Sequence, residues 1–549
     1  MTANMLTKQD RLRALLLISA TLAGSALTAS AQTYFSPGNL VVSRSVYDPN
    51  PNNVNVKVGQ MLPPNCIATQ GGCSGPATND GTYPTVFNNV LVDPSFGVSS
   101  MIVLDQFTTA GSLVNSLEVP NSNHVGRVLL GDQMVTSFSS KSEVALNLST
   151  DGQYLTFMGY VAPIDDVDVS NSNTNQDVDP TNPVGRSYYR AVAQVDVNGN
   201  FNFTETNAYS GNNGRAAILN NSNGANFFYT AGNAGNGSNP QPDGIIIGAG
   251  AQIINPLMQP LVSQQPQQPT PVGSFNVTQI GQPQDKIGKD DNFRGLTIFD
   301  NVLYFTKGSG SNGVNTVYFL DPTLTICNDS NGVGVPPTNA TLPTAPLAYD
   351  PTLLQTKGLD PNNMCILNGF PVALKSKTSF PFGVWFANST TLYVADEGDG
   401  DNTYANGQYT KAASNPLSGL QKWIFDSTSG QWNMAYVIQS GLNLGVPYTV
   451  ANYPPGNNPA TGLPWAPGTD GLRNLTGVVN GDGTVTIYAI TSTVSGGGDE
   501  GADPNMLMVI NDQLSATSLP PGESFSTFDA ANSGEVLRGV SFTPQVASK

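Results

Sequence analysis

The stretch FGVWFANSTTLYVADEG at residues 382–398 consists of two runs of β-branched and aromatic residues joined by a short polar turn, the sequence pattern of a tight antiparallel hairpin. The couplet recurs along the chain: VALNLSTDGQYLTFMG at 144–159, RAAILNNSNGANFFYTAG at 215–232, RGLTIFDNVLYFTKG at 294–308 and RNLTGVVNGDGTVTIYAITS at 473–492. A sixth copy, LRGVSFTP at 537–544, has only its first strand, and NLVVSRSVYD at 39–48 supplies a second from the other end of the chain. Third strands follow as YYRAVAQVDVNG (188–199), NTVYFLDPT (315–323), GLQKWIFDSTSG (419–430), NMLMVINDQ (505–513) and SMIVLDQFTTAG (100–111), and fourth strands as FNFTETNAY (201–209), WNMAYVIQSG (432–441) and SLVNSLEVP (112–120). Four antiparallel strands repeated around a circle predict an all-β, six-bladed β-propeller closed by pairing of the N- and C-terminal strands. The unit that starts at Arg215 is less regular. Its third strand is expected within GIIIGAGAQII (244–254), and the Gln/Pro-rich run 258–271 reads as a surface excursion ahead of FNVTQIG (275–281).

Ahead of the first strand, Lys8, Arg11 and Arg13 precede the apolar run 14–23 and the small-residue site Ala29-Ser30-Ala31. That is the layout of a secretory signal peptide over residues 1–31, leaving one propeller domain over 32–549. No later stretch reaches the ~20 consecutive apolar residues of a membrane-spanning helix. The protein is therefore expected to be secreted, extracellular or periplasmic. Sequons such as Asn202-Phe203-Thr204 and Asn388-Ser389-Thr390 follow from the abundance of Asn, Ser and Thr. Charged residues make up 11% of the 549-residue chain and the net charge is −17, which excludes the basic footprint of a nucleic-acid or anionic-membrane binder. In an oxidising compartment Cys66 with Cys73, and Cys327 with Cys365, are expected to form two loop-pinning disulfides. A zinc site would need tighter spacing, and the single histidine, His124, is distant in sequence.

The repeated couplets resemble those of the broad group of bacterial secreted six-bladed propellers built from NHL-like or gluconolactonase-like repeats. The resemblance is architectural and spans nearly the whole chain after residue 31. It implies a propeller with its site at the mouth of the central channel, and it transfers no reaction.

Two residue classes gather where that mouth should lie. Arg215, Arg294, Arg473 and Arg538 each stand at or just before a first strand and are half of the arginines beyond residue 31. One reading is a ring of guanidinium groups that holds a carboxylate, a phosphate or sugar hydroxyls by forked hydrogen bonds. The other is that each arginine pairs with a carboxylate of the next blade and locks the blades, as inherited packing in a duplicated unit would leave it. The acidic class occupies loops after second strands: Asp396, Glu397, Asp399 and Asp401 in one, Asp499, Glu500 and Asp503 in another, and Asp165, Asp166, Asp168, Asp177 and Asp179 in a third. Carboxylates separated by glycine suit Ca2+, although no EF-hand glutamate follows; solvated loops, or acceptors for the arginines, are the alternative.

Nucleophilic catalysis lacks its parts, because His124 is the sole imidazole and sits in a polar loop, and no G-x-S-x-G elbow or Cys-x-x-Cys-His occurs. Calcium-dependent phytases are also six-bladed, but their anionic substrate needs a basic cleft that a chain with 22 Lys and Arg against 39 Asp and Glu does not offer. The aromatics Tyr404, Tyr409, Tyr448, Tyr453 and Trp465 stand in long loops and are read as exposed, available for loop packing or for stacking on sugars. The leading expectation is a non-catalytic extracellular binding, adhesion or self-assembling protein that meets glycans, proteins or its own copies through its loop faces. The alternative is a calcium-dependent hydrolase of the lactonase or sugar-acid type, with Glu397 or Asp499 beside the cation.

Overall fold

The computed structural model describes residues 33–47, 83–91, 98–121, 134–138, 140–162, 164, 190–206, 209, 213–222, 224–233, 250–257, 272–275, 292–308, 313–321, 364–373 and 376–546. The expected signal peptide, His124, the acidic run 165–179 and Cys66, Cys73 and Cys327 lie outside them. Cys365 is buried, and no described cysteine is a free thiol.

The fold is all-β with a propeller-like arrangement of sheets, and the alternation of β-branched and aromatic residues explains why: strands buried on both faces read as near-continuous apolar runs. The N-terminal part forms one nine-stranded sheet from β1 (Leu40–Val46), β2 (Ser99–Phe107), β3 (Leu113–Glu118), β4 (Met134–Ser137), β5 (Asn147–Leu148), β6 (Leu155–Val161), β7 (Arg190–Val195), β8 (Phe201–Thr206) and the last strand of the chain, β27 (Glu535–Phe542). Within it, β27-β1-β2-β3 and β5-β6-β7-β8 are two antiparallel meanders, bridged by β4 between β2 and β6.

Four separate four-stranded antiparallel sheets follow. The first is β9 (Gly214–Asn220), β10 (Phe227–Gly232), β11 (Ala251–Ile254) and β12 (Val272–Phe275); the second is β13 (Leu296–Phe299), β14 (Val302–Lys307), β15 (Thr316–Leu320) and β16 (Met364–Ile366). The third is β17 (Pro381–Asn388), β18 (Thr391–Asp396), β21 (Gly419–Asp426) and β22 (Gln431–Ile438). Between its second and third strands lie a small hairpin, β19 (Tyr404–Ala405) with β20 (Gln408–Tyr409), and a one-turn helix, α1 (Thr410–Ser414). The fourth is β23 (Gly468–Val479), β24 (Thr484–Val494), β25 (Met506–Gln513) and β26 (Ser526–Ala530). The couplets read from sequence thus appear as hairpins β5–β6, β9–β10, β13–β14, β17–β18 and β23–β24. One boundary differs: β12 begins at Val272, inside the expected lead-in to FNVTQIG, because its residues 272–275 pair with β11.

The terminal strands meet directly, with Leu40 opposite Phe542 and Val46 opposite Glu535. First strands also touch in succession: β5 with β9, β9 with β13, β13 with β17, β17 with β23, β23 with β27, and β27 with β5. Glycine makes this approach possible. At Gly295, Gly383 and Gly539, one residue after the Arg position of each copy, an added Cβ would lie 2.4 Å from Phe382 O, 2.5 Å from Arg473 O and 2.6 Å from Leu146 N respectively. The core sits between neighbouring sheets: one cluster joins Tyr393, Leu420 and Ile438 to Leu472, Val485 and Ile487, and another joins Tyr488 and Ile490 to Val42 and Val540. Each such side chain contributes about 1.5–3 kcal/mol on full burial.

Candidate functional site

At one end of the first strands a cavity of about 430 Å³ is lined by Lys141, Arg294, Lys377, Glu397, Asp399, Asp401, Asp470 and Arg473, among others. The lining comes from residues in or just ahead of first strands and from the ends of second strands with the loops that follow them. The structure therefore brings together the Arg position and the acidic loop after β18.

The four arginines neighbour one another closely enough for their charges to interact. Burial, then the nearby Arg294, pushes Arg215 well below the usual arginine range, and burial pushes Arg538 down to about 10, so Arg538 stays protonated at neutral pH. Two carboxylates compensate this positive cluster. Glu397 bridges sheets: its Oε1 lies 3.4 Å from Arg294 Nε and its Oε2 lies 3.3 Å from Arg473 Nε. Glu143, only 1% exposed, accepts from Thr136 Oγ1 at 2.8 Å, Asn213 Nδ2 at 2.8 Å and the Tyr160 hydroxyl. Arg538 is fastened by donating from Nε to Ser45 Oγ at 2.9 Å and from its Nη atoms to the carbonyls of Ser140 and Phe138. Arg215 donates to Phe293 O at 2.8 Å and to Asn292 Oδ1. Arg215 and Arg538 thus donate to backbone carbonyls and to Asn and Ser side chains, and neither forms an ion pair with a carboxylate among the described residues. Arg294 and Arg473 share a carboxylate yet retain donors: Arg294 Nη1 reaches Ser142 Oγ at 2.8 Å, and neither Nη of Arg473 has a protein partner among the described residues.

The carboxylates of the two acidic loops each meet different protein groups. Asp396 is fully buried and accepts from Phe380 N at 2.7 Å, Ser379 Oγ at 3.0 Å, Gln421 Nε2 at 3.1 Å and Gly398 N at 3.1 Å. Burial outweighs those donors and raises it to about 7. Asp399 accepts from Asp401 N at 3.0 Å, and Asp401 accepts from Thr403 N at 2.9 Å, which with the Thr403 hydroxyl holds Asp401 below the usual carboxylate range. Asp499 caps a 3-10 turn at Gly501 N (2.9 Å), Glu500 pairs with Lys141 at 2.6 Å, and Asp503 accepts from Tyr453 OH at 2.7 Å. Burial raises Asp503 to about 8. Among the described residues no group of three or more His, Cys, Asp or Glu is arranged to hold a metal ion. No chemistry is routed through Ca2+.

Sequence reasoning missed two members of the site. Glu143 stands one residue ahead of the repeated Arg position in the copy that carries Val144 there, a signal visible once the copies are aligned. Asp470 has no such signal. It lies beneath the loop after β18, accepting from Gly400 N at 2.8 Å, with Oδ1 buried and unpartnered, and burial followed by the charges of Asp399, Glu397 and Asp396 raises it to about 8. Gly398 permits this contact: at φ +82°, an added Cβ would sit 2.3 Å from the Asp470 carboxyl.

The loop aromatics correct an expectation. Tyr409, Tyr453 and Trp465 are buried, not exposed: the Tyr409 hydroxyl donates to Ala466 O at 2.9 Å, and Tyr453 meets Trp465 edge-on with ring centroids 6.4 Å apart. Tyr404 packs on Tyr409 with centroids 5.0 Å apart, and Tyr448 donates to Pro504 O at 2.8 Å. An amphipathic ring with a polar tip is well suited to such loop packing.

No family model matches this chain, and no curated protein matches it. Among solved structures it is similar to the NanB sialidase of Streptococcus pneumoniae, crystallised with 2-[(3-chlorobenzyl)ammonio]ethanesulfonate, at 7% identity and a TM-score of 0.31, over 74% of this chain and 62% of that one. It is also similar to an apocarotenoid oxygenase mutant of Synechocystis (9% identity, TM-score 0.21, 82% of this chain and 59% of that one) and to the extracellular domains 1–2 of Drosophila Semaphorin 1a (10% identity, TM-score 0.17, 76% and 72%). The chain thus spans less than two thirds of the sialidase. Likeness at this level carries no argument about activity. No helix among the described residues is long and apolar enough to cross a membrane.

Proposed function

We propose that this chain is an exported six-bladed β-propeller closed by its terminal strands, and that it is a non-catalytic extracellular binding protein whose face pocket takes an acidic glycan. Six blades are supported by the two meanders of the nine-stranded sheet together with the four separate sheets, and closure by the β27–β1 pairing and the cycle of touching first strands.

The observation that carries the ligand reading is Arg473. It lines the cavity with Nε on Glu397 and with both Nη donors unpartnered among the described residues, beside the exposed Lys377. Unused guanidinium donors in a partly dehydrated cavity are matched by a carboxylate, and the acceptors Asp399 and Asp401 at the rim by sugar hydroxyls. The calcium-dependent hydrolase is less well supported, since Glu397 is held by two arginines and Asp499 caps a turn.

An array of neutral and acidic oligosaccharides, followed by calorimetric titration of the best binder, tests the reading. Binding of acidic members, weakened at least several-fold by K377A with the melting temperature unchanged, supports it. Absence of saccharide binding together with an ordered polymer by electron microscopy would replace it with self-association, and lactone turnover abolished by a chelator would restore the hydrolase.

A further inference from the structure

Arg215, near the start of β9, is the least compensated of the repeated arginines. It is 5% exposed, and its Nη1 donates to two neutral acceptors, Phe293 O at 2.8 Å and Asn292 Oδ1. Its Nε is buried with no hydrogen-bond partner among the described residues. Those two acceptors immediately precede Arg294 in the chain, and β9 touches β13, which brings a second guanidinium alongside. The Arg294 Nε is likewise buried without a hydrogen bond among the described residues, facing Glu397 Oε1 at 3.4 Å. Both nearby carboxylates are engaged. Glu397 is shared by Arg294 and Arg473, and Glu143 accepts from Thr136, Asn213, Tyr160 and the Ser137 amide. The Tyr160 and Tyr209 hydroxyls, which also feel these charges, are kept neutral by burial.

A buried charge is costly unless a countercharge and hydrogen bonds replace its lost hydration. A lysine or a carboxyl can avoid that cost by becoming neutral, whereas a guanidinium does not give up its proton in proteins. Burial, and then the charge of Arg294, opposes the Arg215 cation more than Glu397 and Glu143 favour it, so the protein groups around it leave it short of negative charge. We propose that one small monovalent inorganic anion, chloride, is bound between Arg215 and Arg294 as the missing countercharge. The chemistry of the place selects such an ion. Arg294 and Arg473 share one carboxylate and Arg215 has none, so a single negative charge is wanting, and the free donors are N–H groups that suit a spherical anion. Phosphate would bring more charge and more acceptor oxygens than those donors can satisfy. Arg215 does not itself line the cavity, so a glycan carboxylate entering there meets Arg473 and Arg294 first. The anion ties β9 to β13 and relieves the repulsion behind the cavity wall at Arg294. This inference is independent of what the cavity binds.

The test is a crystal of the purified protein grown with sodium bromide in place of chloride, since bromide replaces chloride and scatters anomalously. The expected result is an anomalous peak within hydrogen-bonding reach of both Arg215 and Arg294. Peaks confined to exposed residues mark an adventitious ion only and overturn the proposal, as does a peak at Arg473 alone with Arg215 ordered and without an ion. A second measurement follows the melting temperature as chloride replaces methanesulfonate at constant ionic strength. For a domain of roughly 500 residues, chloride at about a hundredfold above its Kd is expected to raise the melting temperature by about 2.5 °C. R215Q is expected to lose that response. A wild type indifferent to chloride, or an equal response in R215Q, overturns the proposal; if R215Q fails to fold, the bromide peak and the wild-type titration decide it. A cavity that binds no acidic saccharide leaves both expected results unchanged, so the two readings fail separately.

Discussion

Replacing Glu397 with Gln removes the one negative charge between Arg294 and Arg473 while keeping the side chain's size. Both ion pairs are near 3.4 Å, and the three side chains are 12%, 9% and 6% exposed, so water replaces the lost carboxylate only in part. Arg294 already loses proton affinity to burial and to repulsion from Arg473, and without Glu397 that repulsion is uncompensated. Removing one partner of a buried pair costs about 3–5 kcal/mol, and here one residue serves two partners, so the upper half of that range is expected. With an unfolding entropy of about 2.1 cal/mol/K per residue, a domain of roughly 500 residues melts about 4 °C lower for a loss of about 4 kcal/mol. Calorimetry and urea titration of the wild type and E397Q measure this. If the variant unfolds within about 1 kcal/mol of the wild type, the guanidinium groups do not depend on Glu397 and the bridge it makes between sheets is refuted.

Stability should fall as pH rises through neutrality. Asp396, at about 7, and Asp470 and Asp503, at about 8, each bind a proton more tightly in the fold than in the unfolded chain, where Asp titrates near about 3.9. Their contribution is complete below the unfolded value and is lost as pH rises through 7 to 8. The melting temperature is therefore expected to drop between pH 5.5 and 8.5, less steeply in D470N, and a melting temperature that climbs over that range would contradict the burial of these carboxyls. Gly398→Ala and Gly400→Ala separate space from backbone strain: both have positive φ, but an added Cβ would meet Asp470 only at the first. The first should cost about 2–4 kcal/mol and the second about 1–2 kcal/mol by chemical denaturation. Equal costs would mean that Asp470 does not pack under Gly398.

The strand couplets were legible because their information is local. Period-two alternation with an Asn, Asp or Gly turn defines a hairpin wherever it sits, and six first strands with a lone terminal half-copy imply circular pairing; β1 does lie against β27. The Arg position was legible as a repeat, and the acidic loop after β18 as a composition. The sequence alone left both readings of those residues open, ring or lock, calcium shell or arginine acceptor. Tertiary structure supplied the distances: Glu397 meets Arg294 and Arg473 from two other sheets, Asp396 meets Phe380, Ser379 and Gln421, and Asp399 and Asp401 turn to their own loop. Asp470 had no sequence signal at all. A charge's partner depends on which blade faces which, and that placement is fixed by packing between sheets, which no local period encodes.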